Sequence, residues 1–594
     1  MRKVRFSALI GVIAAFALVA AGCGGSSSKS EQTGGTQGAN SQNTAPVQGK
    51  QGGKLTYLAA ADVDYIDPGQ TYYTFGYQVL YATNRTLYSF APGDTQKPHA
   101  DLADGDPQIS ADKKSITVKI KKGIKYSPPV NREVQAKDIK YAFERSFSAN
   151  VPSGYATSYF SAIKGAPTTP TNGVKTISGI TTPDPYTIVF KLTQPAAVTV
   201  AAALVMPITV PIPEEYAKKY DAKSPSEYDQ YAVATGPYMV QNNSSGKLTG
   251  RDPGKKITLV RNPNWNKSTD FRPAYLDEID IDEGNDDLTV ASRRTLTGSN
   301  LICCDSGQPP IPVLARALRQ NKDQIGRVSG GGTRWIALNT TKKPFDNINI
   351  RKGIIAGMDR NALRLTRGGA NIGAIAQGFI PPGIPGFDES GGTKGFTDID
   401  YMQNPAGDPA LMKKYFDAAA KQGVKPSDGG DLLTIATNAD PGNQTAQVAQ
   451  GQLQKMGFKL NYRKVPQDTL YTKFCGVPKS NYLICPNVGW FKDFTDPESM
   501  LEPTFKGSAI KPQGNVNWSL LNNKQIDDAM TQSATIPAGP ARNKAWANIN
   551  KMIIQQAVAI PYVWDDNVNL WSKNVQSVMN AYYAGPDLNY TFIK

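Results

Sequence analysis

Two hydrophobic periodicities alternate along the chain. From Ala136 to Phe147, "AKDIKYAFERSF" repeats Ile139, Phe143 and Phe147 every four positions, which predicts an amphipathic helix. Shorter stretches rich in β-branched and aromatic residues predict strands: "KLTYLAA" from Lys54, "SITVKIKKGIKYS" from Ser115, and then "YTIVFKL", "KKITLVRN" and "TRWIALNT". From Leu432 the order becomes strand "LLTIATN", helix from Gln444 to Met456, and strand "KLNYRKV", the pattern of a βαβ crossover. No internal repeat is evident. The mixture predicts an α/β protein, and 594 residues, 40% of them hydrophobic, suffice for two or three cores.

The N-terminus reads as an address. Arg2, Lys3 and Arg5 precede an apolar run from Ala8 to Ala21, too short to span a bilayer comfortably and therefore a secretory signal. "LVAAGCGG" then ends at Cys23 in a pattern that resembles the bacterial lipobox, although Ala20 stands where Leu is usual. The resemblance implies cleavage after residue 22 and lipid on Cys23; the other reading is an ordinary signal cleaved near Gly22. Gly24 to Gly53 is rich in Gly, Ser, Gln and Asn and predicts a flexible tether reaching on the order of 30 Å.

Composition excludes several chemistries. Net charge is +15, or +12 once Arg2, Lys3 and Arg5 leave with the signal, yet the basic residues are scattered and no nucleic-acid-binding signature accompanies them. The sole histidine, His99, lacks a nucleophile motif to serve and reads as a surface or turn residue. No phosphate-binding loop or dinucleotide turn occurs, and no residues stand at metal-ligand spacing, so neither catalysis nor a cofactor or metal is expected. Cys475 and Cys485 flank turn-forming residues and, in an exported protein, predict a disulfide. The adjacent Cys303 and Cys304 are compatible with a vicinal disulfide or with free thiols.

An ordered set of segments completes the picture: "PHADLADGDPQISADKKSITVKIKKGIKYSP", "VQAKDIKYAFERSF", "ATGPYMV", "ITLVRNPNWN", "RPAYLDEI", "LNTTKKPFDNINIRKGIIAGMDRNAL" and "GWFKDFTDPESML". Together they resemble the solute-binding lipoproteins of peptide and nickel ABC importers, from about Lys54 to the C-terminus. The resemblance implies a periplasmic-binding-protein-like fold of the large three-subdomain type, with two α/β lobes, a hinge, and ligand enclosed between them. It places lobe I at residues 54–332 plus 560–594, including an inserted subdomain, and lobe II at 333–559. The crossings fall near "SGGGTRW" and "AIPYVW", where the glycines suit either a hinge or a plain loop.

In peptide-binding members, an aspartate three residues after the tryptophan of the "GW" motif pairs with the ligand's N-terminal ammonium. That position is Asp493 here, with Trp490 and Phe491 as aromatic neighbours. Asp496, followed by Pro497, reads instead as a helix N-cap. Dipeptide binders carry an arginine before the helix of the second-lobe βαβ unit, and "IATNADPGNQT" has none, which favours longer peptides. The expectation is a monomeric, lipid-anchored extracytoplasmic protein that delivers oligopeptides to ABC permease subunits. Its alternatives are a peptide-sensing or chaperone-like envelope lipoprotein, or a binder of a non-peptide solute.

Overall fold

Leu55 and Tyr57, alternate residues of the strand Lys54–Leu58, are fully buried, as a strand packed at the centre of a sheet requires. The structure, a computed structural model, describes residues 41–594 apart from 95–96, 306–308 and 439. The signal segment, Cys23 and the first part of the tether lie outside the described residues.

Lys54–Leu58 pairs in parallel with Glu278–Asp282 on one side and Leu301–Cys303 on the other. These strands belong to a large mixed sheet of thirteen strands whose other end holds the βαβ unit. There Asp431–Thr437 and Lys459–Val465 lie parallel, joined by the helix Gly442–Lys455, which starts two residues before the sequence places it. The helix Ala136–Ser146 forms as the four-residue spacing predicts, with Ile139 and Phe143 fully buried against a separate four-stranded sheet that includes Ser115–Lys119 and Thr187–Lys191.

The thirteen-residue strand Ala559–Trp571 ties the large sheet together. Its first half pairs antiparallel with Gly332–Leu338 and its second half with Ile325–Ser329. The link between those two partners is Gly330 and Gly331, and Gly331 sits at φ 62°, where a side chain would be strained. Apolar residues gather accordingly. One core runs from Trp335 to Trp564, while others draw on segments between Leu55 and Val328 together with Leu570, Trp571, Met579 and Leu588.

The last part of the Gly24–Gly53 stretch, expected from composition to be flexible, is docked on the fold from Gln42 onward. Gln42 exchanges backbone hydrogen bonds with Arg327, at 2.7 and 3.0 Å, and Asn43 Nδ2 donates to the Ile325 carbonyl at 2.6 Å. Polar composition cannot reveal this docking, because the attachment uses hydrogen bonds to the main chain of a strand edge rather than buried apolar side chains.

Candidate functional site

The strand Ile484–Phe491 delivers the "GW" segment to a cavity of about 640 Å³. Gly489, Trp490, Phe491, Lys492 and Asp493 line it from one side, facing Tyr72, Tyr73 and Phe75 and, near the C-terminus, Tyr582 and Tyr583. Tyr471 and Trp518 complete an aromatic enclosure. The expected residues Asp493, Trp490 and Phe491 thus stand together on one wall.

Asp493 is 7% exposed. The Tyr72 hydroxyl donates to its Oδ1 at 2.7 Å, the Tyr159 hydroxyl donates to Oδ2, and the Tyr582 hydroxyl donates to its backbone carbonyl at 2.9 Å. Burial pushes the Asp493 carboxyl up to about 6, and the two phenol donors only partly offset that rise. No lysine or arginine among the described residues forms an ion pair with it. It is a buried acid with hydrogen bonds but no counter-cation, an arrangement that favours an incoming positive charge.

Its neighbours divide the remaining tasks. Trp490 is held by Nε1 donating to the Ser499 carbonyl at 2.8 Å, which fixes its ring at the cavity wall. Phe491 carries the Arg334 guanidinium over its face, 5.1 Å from the ring centroid. Phe494 turns away and packs edge-on against Tyr159 at 5.1 Å. Lys492 points to main-chain carbonyls, donating to Ala581 at 2.8 Å and Gly330 at 3.3 Å, and burial pushes its ammonium down to about 7.

Asp496 caps the helix Pro497–Phe505, accepting from the Glu498 N–H at 2.9 Å, with Pro497 in the first turn. Capping is only half of its role. Arg542 grips both carboxylate oxygens at 2.8 and 2.9 Å and also reaches Glu498 at 2.6 Å, all of it buried. Local sequence shows a cap; it cannot show an ion pair formed 46 residues away.

Three tyrosines on Asp493 went unseen in the sequence, although "YIDPGQTYYTFGYQ", "GYATSYF" and "AYYAG" mark their three segments as rich in phenols. The Sγ atoms of Cys475 and Cys485 lie at bonding distance beside this wall, whereas Cys303 and Cys304 are buried as free thiols. His99 falls on a two-residue strand rather than a turn, half exposed, stacked on Phe271 and next to the Asp94 carboxylate. No group of three or more His, Cys, Asp or Glu able to hold a metal occurs among the described residues, and no helix there is long and apolar enough to cross a membrane.

Known proteins share this architecture. The chain is 26% identical over 558 residues to heme-binding protein A of Haemophilus influenzae, covering 92% of each. It is 24% identical over 487 residues to the oligopeptide-binding protein OppA of Bacillus subtilis, covering 80% of this chain and 83% of that one. Among solved structures, clavulanic acid biosynthesis oligopeptide binding protein 2 superposes with a TM-score of 0.80 at 22% identity, over 94% of this chain and 99% of the other. These likenesses give the two-lobed fold. Residues 97–512 match the family described as bacterial extracellular solute-binding proteins, family 5 Middle. The chain therefore belongs to the family 5 extracellular solute-binding proteins, which bind solutes rather than transform them.

Proposed function

We propose that this protein captures peptides outside the cytoplasm and presents them to an ABC importer, with the peptide's N-terminal ammonium on Asp493. The observation that carries the reading is the buried Asp493 carboxylate, supplied with phenol donors but no cation, on the wall of a 640 Å³ cavity. Such a volume suits a ligand of a few residues. Relatives named for oligopeptide binding support the class of ligand. A relative named for heme binding names the rival, and the scarcity of His and free Cys at this cavity speaks against it.

In this reading residues 54–332 plus 560–594 form one lobe and 333–559 the other, with the crossings near Ser329–Trp335 and Ala559–Trp564. Cys23 carries lipid, and the residues between it and Gln42 give the binding unit its reach from the membrane. Native mass spectrometry of the purified protein tests the ligand directly: a retained mass that fragments as peptide is expected, and a retained heme or sugar overturns the reading. Cys23→Ser should release the protein from membranes, and continued anchoring of that variant overturns the lipid assignment.

A further inference from the structure

Arg334 stands in the strand Gly332–Leu338 directly opposite Gly489, so the two residues share a face of the sheet. Gly489, Phe491 and Tyr471 all line the cavity. The guanidinium lies over Phe491, and a Cβ built on Gly489 would stand 3.2 Å from Arg334 Nη1. Glycine at 489 thus leaves room for the arginine's head beside two residues, Gly489 and Phe491, that line the cavity.

Only one edge of this guanidinium is used. Nε donates to the Asp565 carboxylate, and neither Nη1 nor Nη2 has a protein acceptor among the described residues, although the side chain is only 23% exposed. Two forked donors left open in a half-buried setting match a planar, bidentate acceptor. Asp565 does not neutralise the site, because it also receives Arg367, at 3.1 and 3.3 Å. Burial alone would raise the Asp565 carboxyl, and the two arginines overcome that and hold it below its usual value. One carboxylate facing two guanidiniums leaves this group of three with a net positive charge.

We propose that the Nη pair of Arg334 binds a carboxylate of the ligand, making this protein selective for peptides that carry an acidic group near their free N-terminus. The inference rests on the reading of Asp493 as the ammonium partner. Gly489, opposite Arg334, lies four residues before Asp493, so their Cα atoms are at most about 14 Å apart. A chain of up to about four residues spans that distance. The carboxylate is therefore either the C-terminus of a short peptide or an Asp or Glu side chain among the first residues of a longer one.

Three pools of mixed neutral tetrapeptides separate these sources: free acids, C-terminal amides, and amides carrying Glu at the third position. Each is offered to the wild-type protein in competition and read by mass spectrometry of the bound fraction. Free acids or Glu-bearing amides should be retained roughly tenfold or more over neutral amides, the usual scale for a hydrogen-bonded charge. Arg334→Gln should remove that preference, read as the ratio of acidic to neutral peptide bound by the same protein, and Arg334→Lys should restore it only in part because the fork is lost. Asp565 keeps Arg367 in these variants, and the wild-type comparison needs no variant at all. Equal retention of all three pools overturns the Arg334 assignment but leaves the ammonium site standing. If N-acetylation of the free acids does not weaken them, or if no pool binds, the Asp493 reading fails as well.

Discussion

Asp493→Asn should weaken peptide binding and, in the unliganded protein, raise stability. Burial lifts the carboxyl from 3.8 to about 6, a shift that corresponds to about 3 kcal/mol of unfavourable charge burial at neutral pH. A carboxyl raised in the folded state favours folding below its unfolded value, and that contribution is lost as pH rises through about 6. Asparagine still accepts from Tyr72 or Tyr159 but carries no charge, so the unliganded variant should gain up to about 3 kcal/mol at pH 7.5 and lack the wild-type decline between pH 4 and 7. The ligand reverses the sign. Its ammonium finds a ready partner in wild type and none in the variant, where a buried unpaired cation costs about 3–5 kcal/mol, or two to three decades of affinity and more. Calorimetry with free and N-acetylated forms of one peptide, against wild type and variant, isolates the coupling. Wild-type affinity for the free peptide should also fall about tenfold per pH unit below about 6, as Asp493 takes up a proton. Equal weakening of both peptides, or of neither, refutes the ammonium assignment, and a variant no more stable than wild type refutes the buried-charge argument.

Asp496→Asn keeps the helix cap but breaks the grip of Arg542, so urea unfolding should show a loss of about 3 kcal/mol; an unchanged midpoint would mean that the ion pair contributes nothing. Peptide mapping without reductant should recover Cys475 joined to Cys485, with reduction costing about 2–3 kcal/mol, and free alkylation of both thiols in native protein contradicts the bridge. A peptide at a hundredfold excess over its dissociation constant should add about 2.7 kcal/mol of apparent stability and compact the protein in small-angle scattering; an unchanged profile and melting point speak against closure.

What the sequence revealed, and what it hid, follows from the range of the interactions. The helix around Phe143 and the βαβ unit from Asp431 to Val465 are written in local periodicity, which needs no knowledge of distant partners. Asp496 as a cap was equally legible, since the cap lies beside its own helix. Tyr72 and Tyr159 on Asp493 were not, because they approach across 421 and 334 residues and no local pattern records such a meeting. The same holds for Arg334, which reads in sequence as one polar position of a strand and gains its meaning only from the glycine that faces it. Gln42 shows the reverse error: a composition that predicts freedom is overridden by an available strand edge.

The placement of Ala559–Trp571 bears on how the chain comes to be folded. This strand is laid down among the last 36 residues, yet it forms pairs with Gly332–Leu338, Ile325–Ser329 and Leu301–Cys303 and contributes to more than one apolar core. The core around Phe143 uses no residue of this strand, but the cores that do cannot be finished until it has arrived, and contacts this remote in sequence form slowly. The same delay exposes every unpaired strand edge in the meantime, which makes truncations near the C-terminus candidates for aggregation rather than for partial activity.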